Sequence, residues 1–62
     1  MREAIIMEVI HLTQEQLIQY RRIAPIGAPQ PLFVRDEHNW LYCIIGNRVY
    51  LWTNKHKWSE TW

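Results

Sequence analysis

Three histidines and one cysteine, His11, His38, His56 and Cys43, are the residues of this 62-residue chain that could hold a zinc ion or pair a nucleophile with a base. Their spacing speaks against both. No two of them have the short separation of a zinc-ligand pair, and His56 stands between Lys55 and Lys57, whose charges oppose a bound cation. Cys43 lies in the apolar run WLYCII, where burial would raise its pKa and block access, so it is expected to be a small core residue. Asp36 and Glu37 beside His38 carry the groups of general acid–base chemistry, but such work needs an enclosed pocket. A solvated turn is the expectation there. Gly27 and Gly46 are the only glycines and cannot form a glycine-rich phosphate loop. The chain is therefore expected not to be an enzyme, with no catalytic residues, no metal site and no cofactor.

The chemistry the composition favours is recognition. Trp, Tyr and Arg dominate the energetics of protein interfaces, and Phe33, Arg35, Trp40, Tyr42, Leu51 and Trp58 are the candidate residues for binding a protein partner or a second copy. Single-strand nucleic-acid binders combine basic groups with rings on which bases stack. The segment from Arg48 to the C-terminus supplies Arg48, Trp52, Lys55, His56, Lys57, Trp58 and Trp62. Arg48, Trp52, Lys55, Lys57 and Trp58 are thus the candidates for a second reading, nucleic-acid binding, although Glu60 partly offsets their charge. Seven Lys and Arg against six Asp and Glu give a net charge of +1, too small to imply a polyanionic partner by itself. No run approaches the roughly 18 apolar residues of a membrane span. Glu8 interrupts the apolar N-terminal stretch and no cleavage site follows it. A soluble cytoplasmic protein is expected. A small chain of this kind is also the form taken by many phage or mobile-element inhibitors of host proteins, anti-CRISPR proteins among them, an analogy of size that no motif carries.

The elements that must position these residues follow from local patterns. Residues 4–12, AIIMEVIHL, are rich in β-branched side chains and predict a strand. Thr13-Gln14-Glu15-Gln16 fits a capping box, Leu12 and Leu17 occupy the positions of a hydrophobic staple, and Arg21 and Arg22 complement the far end of the dipole. The signals predict a helix over 14–23, ended by Pro25, with Leu17, Tyr20 and Ala24, and Ile18 beside them, as its apolar stripe. Residues 24–31 carry all three prolines and no P-x-x-P spacing, so they read as an extended connector. The rest reads as an antiparallel meander: PLFVR, a turn around Asp36 to Asn39, WLYCII, a two-residue Gly46-Asn47 turn, RVYLWT, a turn NKHK, then WSETW.

The Gly46-Asn47 turn sets a register in which Ile44 faces Val49 and Tyr42 faces Leu51. Carried outward through even-length loops, alternation places Leu32, Val34, Leu41, Cys43, Ile45, Tyr50 and Trp52 on one face, with Ser59 and Thr61. The opposite face receives Phe33, Arg35, Trp40, Tyr42, Ile44, Val49, Leu51, Trp58, Glu60 and Trp62. The helix is expected on the first, more aliphatic face. The whole chain, 1–62, is expected to form one α+β domain in the order β-α-β-β-β(-β): one short helix on a small antiparallel meander of three to five strands. Either the sheet curls into a partly closed barrel, or a homodimer or other partner covers the second face.

Overall fold

A computed structural model describes residues 6–61. Strand β1 (Met7–Glu8) is followed by helix α1 (Gln14–Ile23), then by β2 (Leu32–Arg35), β3 (Leu41–Ile45), β4 (Arg48–Trp52) and β5 (Trp58–Glu60). The strands form one antiparallel sheet in the order β1-β2-β3-β4-β5. The α+β class and the element order match the expectation. The barrel does not form, because the sheet remains open with β1 and β5 at its edges. β1 is also shorter than the sequence suggests. Met7 and Glu8 pair with Arg35 and Val34, and Val9 adds one bond to the Phe33 carbonyl, after which the chain leaves the sheet. The start of the expected strand, residues 4 and 5, and Trp62 at the end of WSETW lie outside the described residues.

The helix forms where its caps require. The Gln16 N–H donates to Thr13 Oγ1 at 3.1 Å and the Thr13 N–H donates to Gln16 Oε1 at 2.9 Å, which completes the capping box. At the far end the Ala24 N–H reaches the Tyr20 carbonyl, and Ala24 itself is extended, as a residue before proline should be. The inward stripe differs in part from the expected one: Tyr20 and Ala24 pack against the core as expected, but Leu17 and Ile18 do not. Gln16, Tyr20 and Ile23 face the sheet, whereas Leu17 and Ile18 are exposed. Gln16 turns inward because its side chain is already bonded to the cap and its carbonyl accepts the Trp58 indole N–H at 3.0 Å. That bond gives the buried tryptophan nitrogen the partner it needs.

The connector 24–31 has no regular secondary structure. Its one tight turn is closed by the Ala28 N–H on the Pro25 carbonyl, with Gly27 at φ 81° in the position that favours glycine.

The central hairpin keeps the expected register, with Ile44 opposite Val49 and Tyr42 opposite Leu51. Gly46, at φ 60°, takes the left-handed first position of its two-residue turn. The outer strands depart from expectation for one physical reason. In the β2–β3 turn the Asn39 N–H donates to the Asp36 carbonyl and the Asp36 N–H to the Trp40 carbonyl, with Asn39 at φ 67°. In the β4–β5 turn the His56 N–H donates to the Thr53 carbonyl and the Thr53 N–H to the Lys57 carbonyl, with His56 at φ 59°. Both are three-residue hairpin loops, a turn followed by a left-handed residue. An odd loop inverts the alternation of the next strand. Phe33 therefore pairs with Cys43 and Trp58 with Trp52, which carries Phe33, Arg35, Trp58 and Glu60 to the side of Cys43, Ile45, Tyr50 and Trp52. Leu32, Val34, Ser59 and Thr61 join Tyr42, Ile44, Val49 and Leu51 on the other.

The helix covers the first of these faces. Leu41, Cys43, Ile45, Tyr50 and Trp58 are buried there, packed by Leu12, Tyr20, Ile23, Phe33 and Trp52. Phe33 links the layers, 5.5 Å from Tyr20 and 5.8 Å from Trp58 between ring centres. Ten helical residues rise about 15 Å, so this helix can cover one face of the sheet and no more.

Candidate binding surfaces

The face away from the helix presents Leu32, Val34, Tyr42, Ile44, Val49 and Leu51 across β2, β3 and β4. Ser59 on β5 and Glu8 on β1 flank them, so no charge interrupts the three central strands. Val34 is 6 % exposed, although it lies outside the cluster of buried residues under the helix. Leu32 is exposed and the other four are half-buried. Sheets that face water on one side alternate apolar and polar residues. This one does not.

At one end of that face Asp36 organises the β2–β3 turn. Its Oδ1 accepts the His38 and Trp40 N–H groups at 2.9 and 3.0 Å, and its Oδ2 accepts the Tyr42 hydroxyl at 3.0 Å. Desolvation acts to raise its pKa, but the bonds from Trp40, Tyr42 and His38 together outweigh it and leave the carboxyl below its ordinary value. The Tyr42 hydroxyl is pushed up by desolvation and by the same carboxylate. Trp40, more than half exposed at 55 %, projects beside this network, with its ring 6.2 Å from that of His38.

The β2–β3 and β4–β5 turns lie at the same end of the sheet, and a cleft of about 500 Å³ opens between them. The first turn contributes Arg35, Asn39 and Trp40, and the second contributes Trp52, Thr53 and Asn54. Leu41, Leu51 and Gln16 complete its walls. Arg35 donates one bond, from its Nη1 to the Asn39 carbonyl at 2.9 Å, and among the described residues no carboxylate pairs with it. The Trp52 ring is held edge-on by Trp58 at 5.1 Å and His56 at 6.3 Å, while His56 Nδ1 meets Glu15 Oε1 at 2.7 Å and ties this turn to the start of the helix. A second cavity, about 360 Å³, lies at the opposite end between the connector and the Gly46 turn, lined by Pro25, Pro29, Arg48 and Tyr50 among others.

The residues expected to bind a protein partner thus divide. Tyr42 and Leu51 lie on the face away from the helix. Arg35, Trp40 and Leu51 meet at the cleft. Phe33 and Trp58 belong to the layer under the helix, and Trp58, at 5 % exposure, is consumed by the core. The residues expected to bind nucleic acid divide as well. Trp52, Lys55 and Lys57 stay together at the β4–β5 turn, but Arg48 sits at the far end of the sheet beside Glu60 at 3.9 Å, and Trp58 is buried. Trp62 lies outside the described residues. Ile44 and Val49, central to the uncovered face, are absent from both sets of candidates, although the hairpin register places them there.

Cys43 is fully buried and burial pushes its thiol up to about 11, so it is neither ionised nor accessible at neutral pH. Among the described residues no three His, Cys, Asp or Glu side chains gather into a metal-binding group, and no helix is long and apolar enough to cross a membrane. No protein-family model matches the sequence, and comparisons with curated proteins and with solved structures return no significant match.

Proposed function

We propose that this protein acts by binding rather than catalysis, as a small inhibitor or adaptor module that docks on a partner protein through the face of its sheet away from the helix. The observation that supports this reading is the uninterrupted apolar set Leu32, Val34, Tyr42, Ile44, Val49 and Leu51 on a face the helix cannot reach. Leu32 is exposed and Tyr42, Ile44, Val49 and Leu51 are half-buried, and apolar surface gathered in one place is often functional.

With strands about 4.8 Å apart and residues about 3.3 Å long, β2–β4 present a flat footprint on the order of 250 Å², against about 800 Å² per partner in a standard interface. Two such faces pressed together make a weak contact. A partner broad enough to reach past the strands can add Trp40, which is exposed at the end of the face.

The test compares the wild-type chain with Ile44→Lys and Val49→Lys, and with Arg48→Gln as a control at the opposite end of the helix-side face. Affinity capture identifies a partner, titration calorimetry measures it, and sedimentation velocity reads self-association. A lysine buried in such an interface weakens binding by about tenfold or more, since central interface residues carry about 2 kcal/mol or more. A captured protein that binds all four chains equally would count against the face.

A further inference from the structure

The cleft between the two three-residue turns is a different kind of surface from the sheet face. It pairs two indole rings with polar groups whose bonding capacity is unspent. Trp40 is exposed to solvent, and among the described residues the one aromatic ring it meets is that of His38. The Arg35 guanidinium uses one N–H, on Asn39, and has no carboxylate partner among the described residues. The side-chain amides of Asn39 and Asn54 make no hydrogen bond among the described residues. Lys55 follows Asn54 in the turn, exposed and likewise without a carboxylate partner among the described residues. The Asp36 carboxylate accepts three hydrogen bonds within its own turn and Glu15 is bonded to His56.

We propose that this cleft binds a nucleoside phosphate, with the base stacked on Trp40, its edge read by the Asn39 and Asn54 amides, and the phosphate held by Arg35. Each part answers to a ligand chemistry. An exposed indole offers a platform for any base, an asparagine amide can donate to and accept from a base edge, and a guanidinium matches a phosphate in charge and geometry. The volume, about 500 Å³, falls in the range of roughly 300–1,000 Å³ usual for small-molecule sites. Lys55 extends the positive charge beyond the cleft, so a single strand can continue past the bound nucleotide along the β4–β5 turn. This site explains why Trp40 is left in water at the rim of a domain short of core residues, and of the sheet face it borrows only Leu51 as a wall.

The experiment titrates the full chain with a short fluorescein-labelled single-stranded oligonucleotide and, separately, with adenosine 5′-monophosphate, at low and moderate salt. The expected result is quenching of tryptophan fluorescence with salt-sensitive binding. Trp40→Ala weakens binding about tenfold or more, as loss of one stacked base implies. Arg35→Gln flattens the salt dependence by about 0.7 in log–log slope, the share of one phosphate on a single strand, and Lys55→Gln lowers the oligonucleotide's slope without affecting the mononucleotide. Circular dichroism verifies that each variant folds, and Lys55→Gln, in an exposed turn, keeps the test available if Arg35→Gln does not. Displacement of the oligonucleotide by the mononucleotide makes the cleft a nucleotide site, and failure of displacement makes it a strand site. The proposal is overturned if neither probe binds at low salt, if binding is indifferent to both Trp40→Ala and Lys55→Gln, or if a duplex of the same oligonucleotide, titrated as a third probe, binds as well as the single strand.

Discussion

Replacing Trp58 by phenylalanine isolates the consequence of the two odd-length turns. If the β4–β5 loop were even, Trp58 would lie on the face away from the helix, half in water, and the change would alter stability by no more than about 0.5 kcal/mol. In the structure Trp58 is 5 % exposed, donates to the Gln16 carbonyl at 3.0 Å and packs on Trp52 and Phe33. Phenylalanine keeps one ring but loses that hydrogen bond, worth about 1 kcal/mol, and leaves a void that costs about another 1 kcal/mol. The expected loss is about 2 kcal/mol. A 62-residue chain has about 3–9 kcal/mol in total at about 0.05–0.15 per residue, so Trp58→Ala, at about 3–5 kcal/mol, would consume all of it at the lower end of that range. Phenylalanine is therefore the informative variant. Urea unfolding followed by far-ultraviolet circular dichroism reads it without relying on tryptophan emission. With a slope near 1 kcal/mol/M for a chain of this size, the midpoint should fall by about 2 M. A midpoint unchanged within a few tenths molar would refute the placement of β5, and with it the division of the sheet into a covered and an uncovered face.

Four further outcomes follow from the geometry. Thr13→Ala removes the acceptor of the Gln16 N–H and should cost about 1 kcal/mol, read as a fall of about 4–8 °C in Tm for a domain of this size. Asn39→Val puts a β-branched residue at φ 67° and should destabilise by about 1–2 kcal/mol in the same assay, whereas Asn39→Gly should be close to neutral. The Asp36 carboxyl is depressed in the folded state, so its contribution is present above the unfolded-state value near about 4 and is lost as pH falls through the folded value. Asp36→Asn should remove that part of the acid sensitivity in a pH series of urea midpoints. Cys43 has the opposite sign: its pKa is raised to about 11, so its contribution is complete below the unfolded-state thiol value and declines as pH climbs toward 11. A thiol reagent at neutral pH should react only at the rate of unfolding.

Much of the fold was legible because local chemistry fixes it. The capping box at Thr13, the proline after Ala24 and the Gly46-Asn47 turn each act over a few residues, and each element they delimit lies where they imply. What was not legible is parity. Asp36 and Thr53 each begin a turn in which their own side chain accepts the N–H two residues on, and each turn ends in a left-handed residue, Asn39 or His56. Asn39 is a residue that tolerates that conformation, so the first turn left a trace in the sequence. His56 left less, because its position is secured from a distance by Glu15 and Trp52. One residue of parity in each loop moved Phe33, Arg35 and Trp58 between faces. It also turned a supposed aromatic face into an aliphatic one bordered by Tyr42, and gathered Arg35, Trp40 and Trp52 into a cleft that no linear motif announces. Gln16 illustrates the same limit in the helix, where its capping bond makes a polar residue, not Leu17, the inward one.

The claim that the uncovered sheet face is where the protein meets its partner is tested most directly by site-specific photo-crosslinking in native cells. A photoreactive phenylalanine analogue is placed at Ile44, in the middle of that face, and in a matched chain at Arg21, on the exposed side of the helix. The predicted result is a discrete crosslinked protein adduct from position 44 that is missing from position 21 and disappears when Val49→Lys is added. Adducts of equal yield from both positions, or none from position 44 while the chain is folded and expressed, would contradict it.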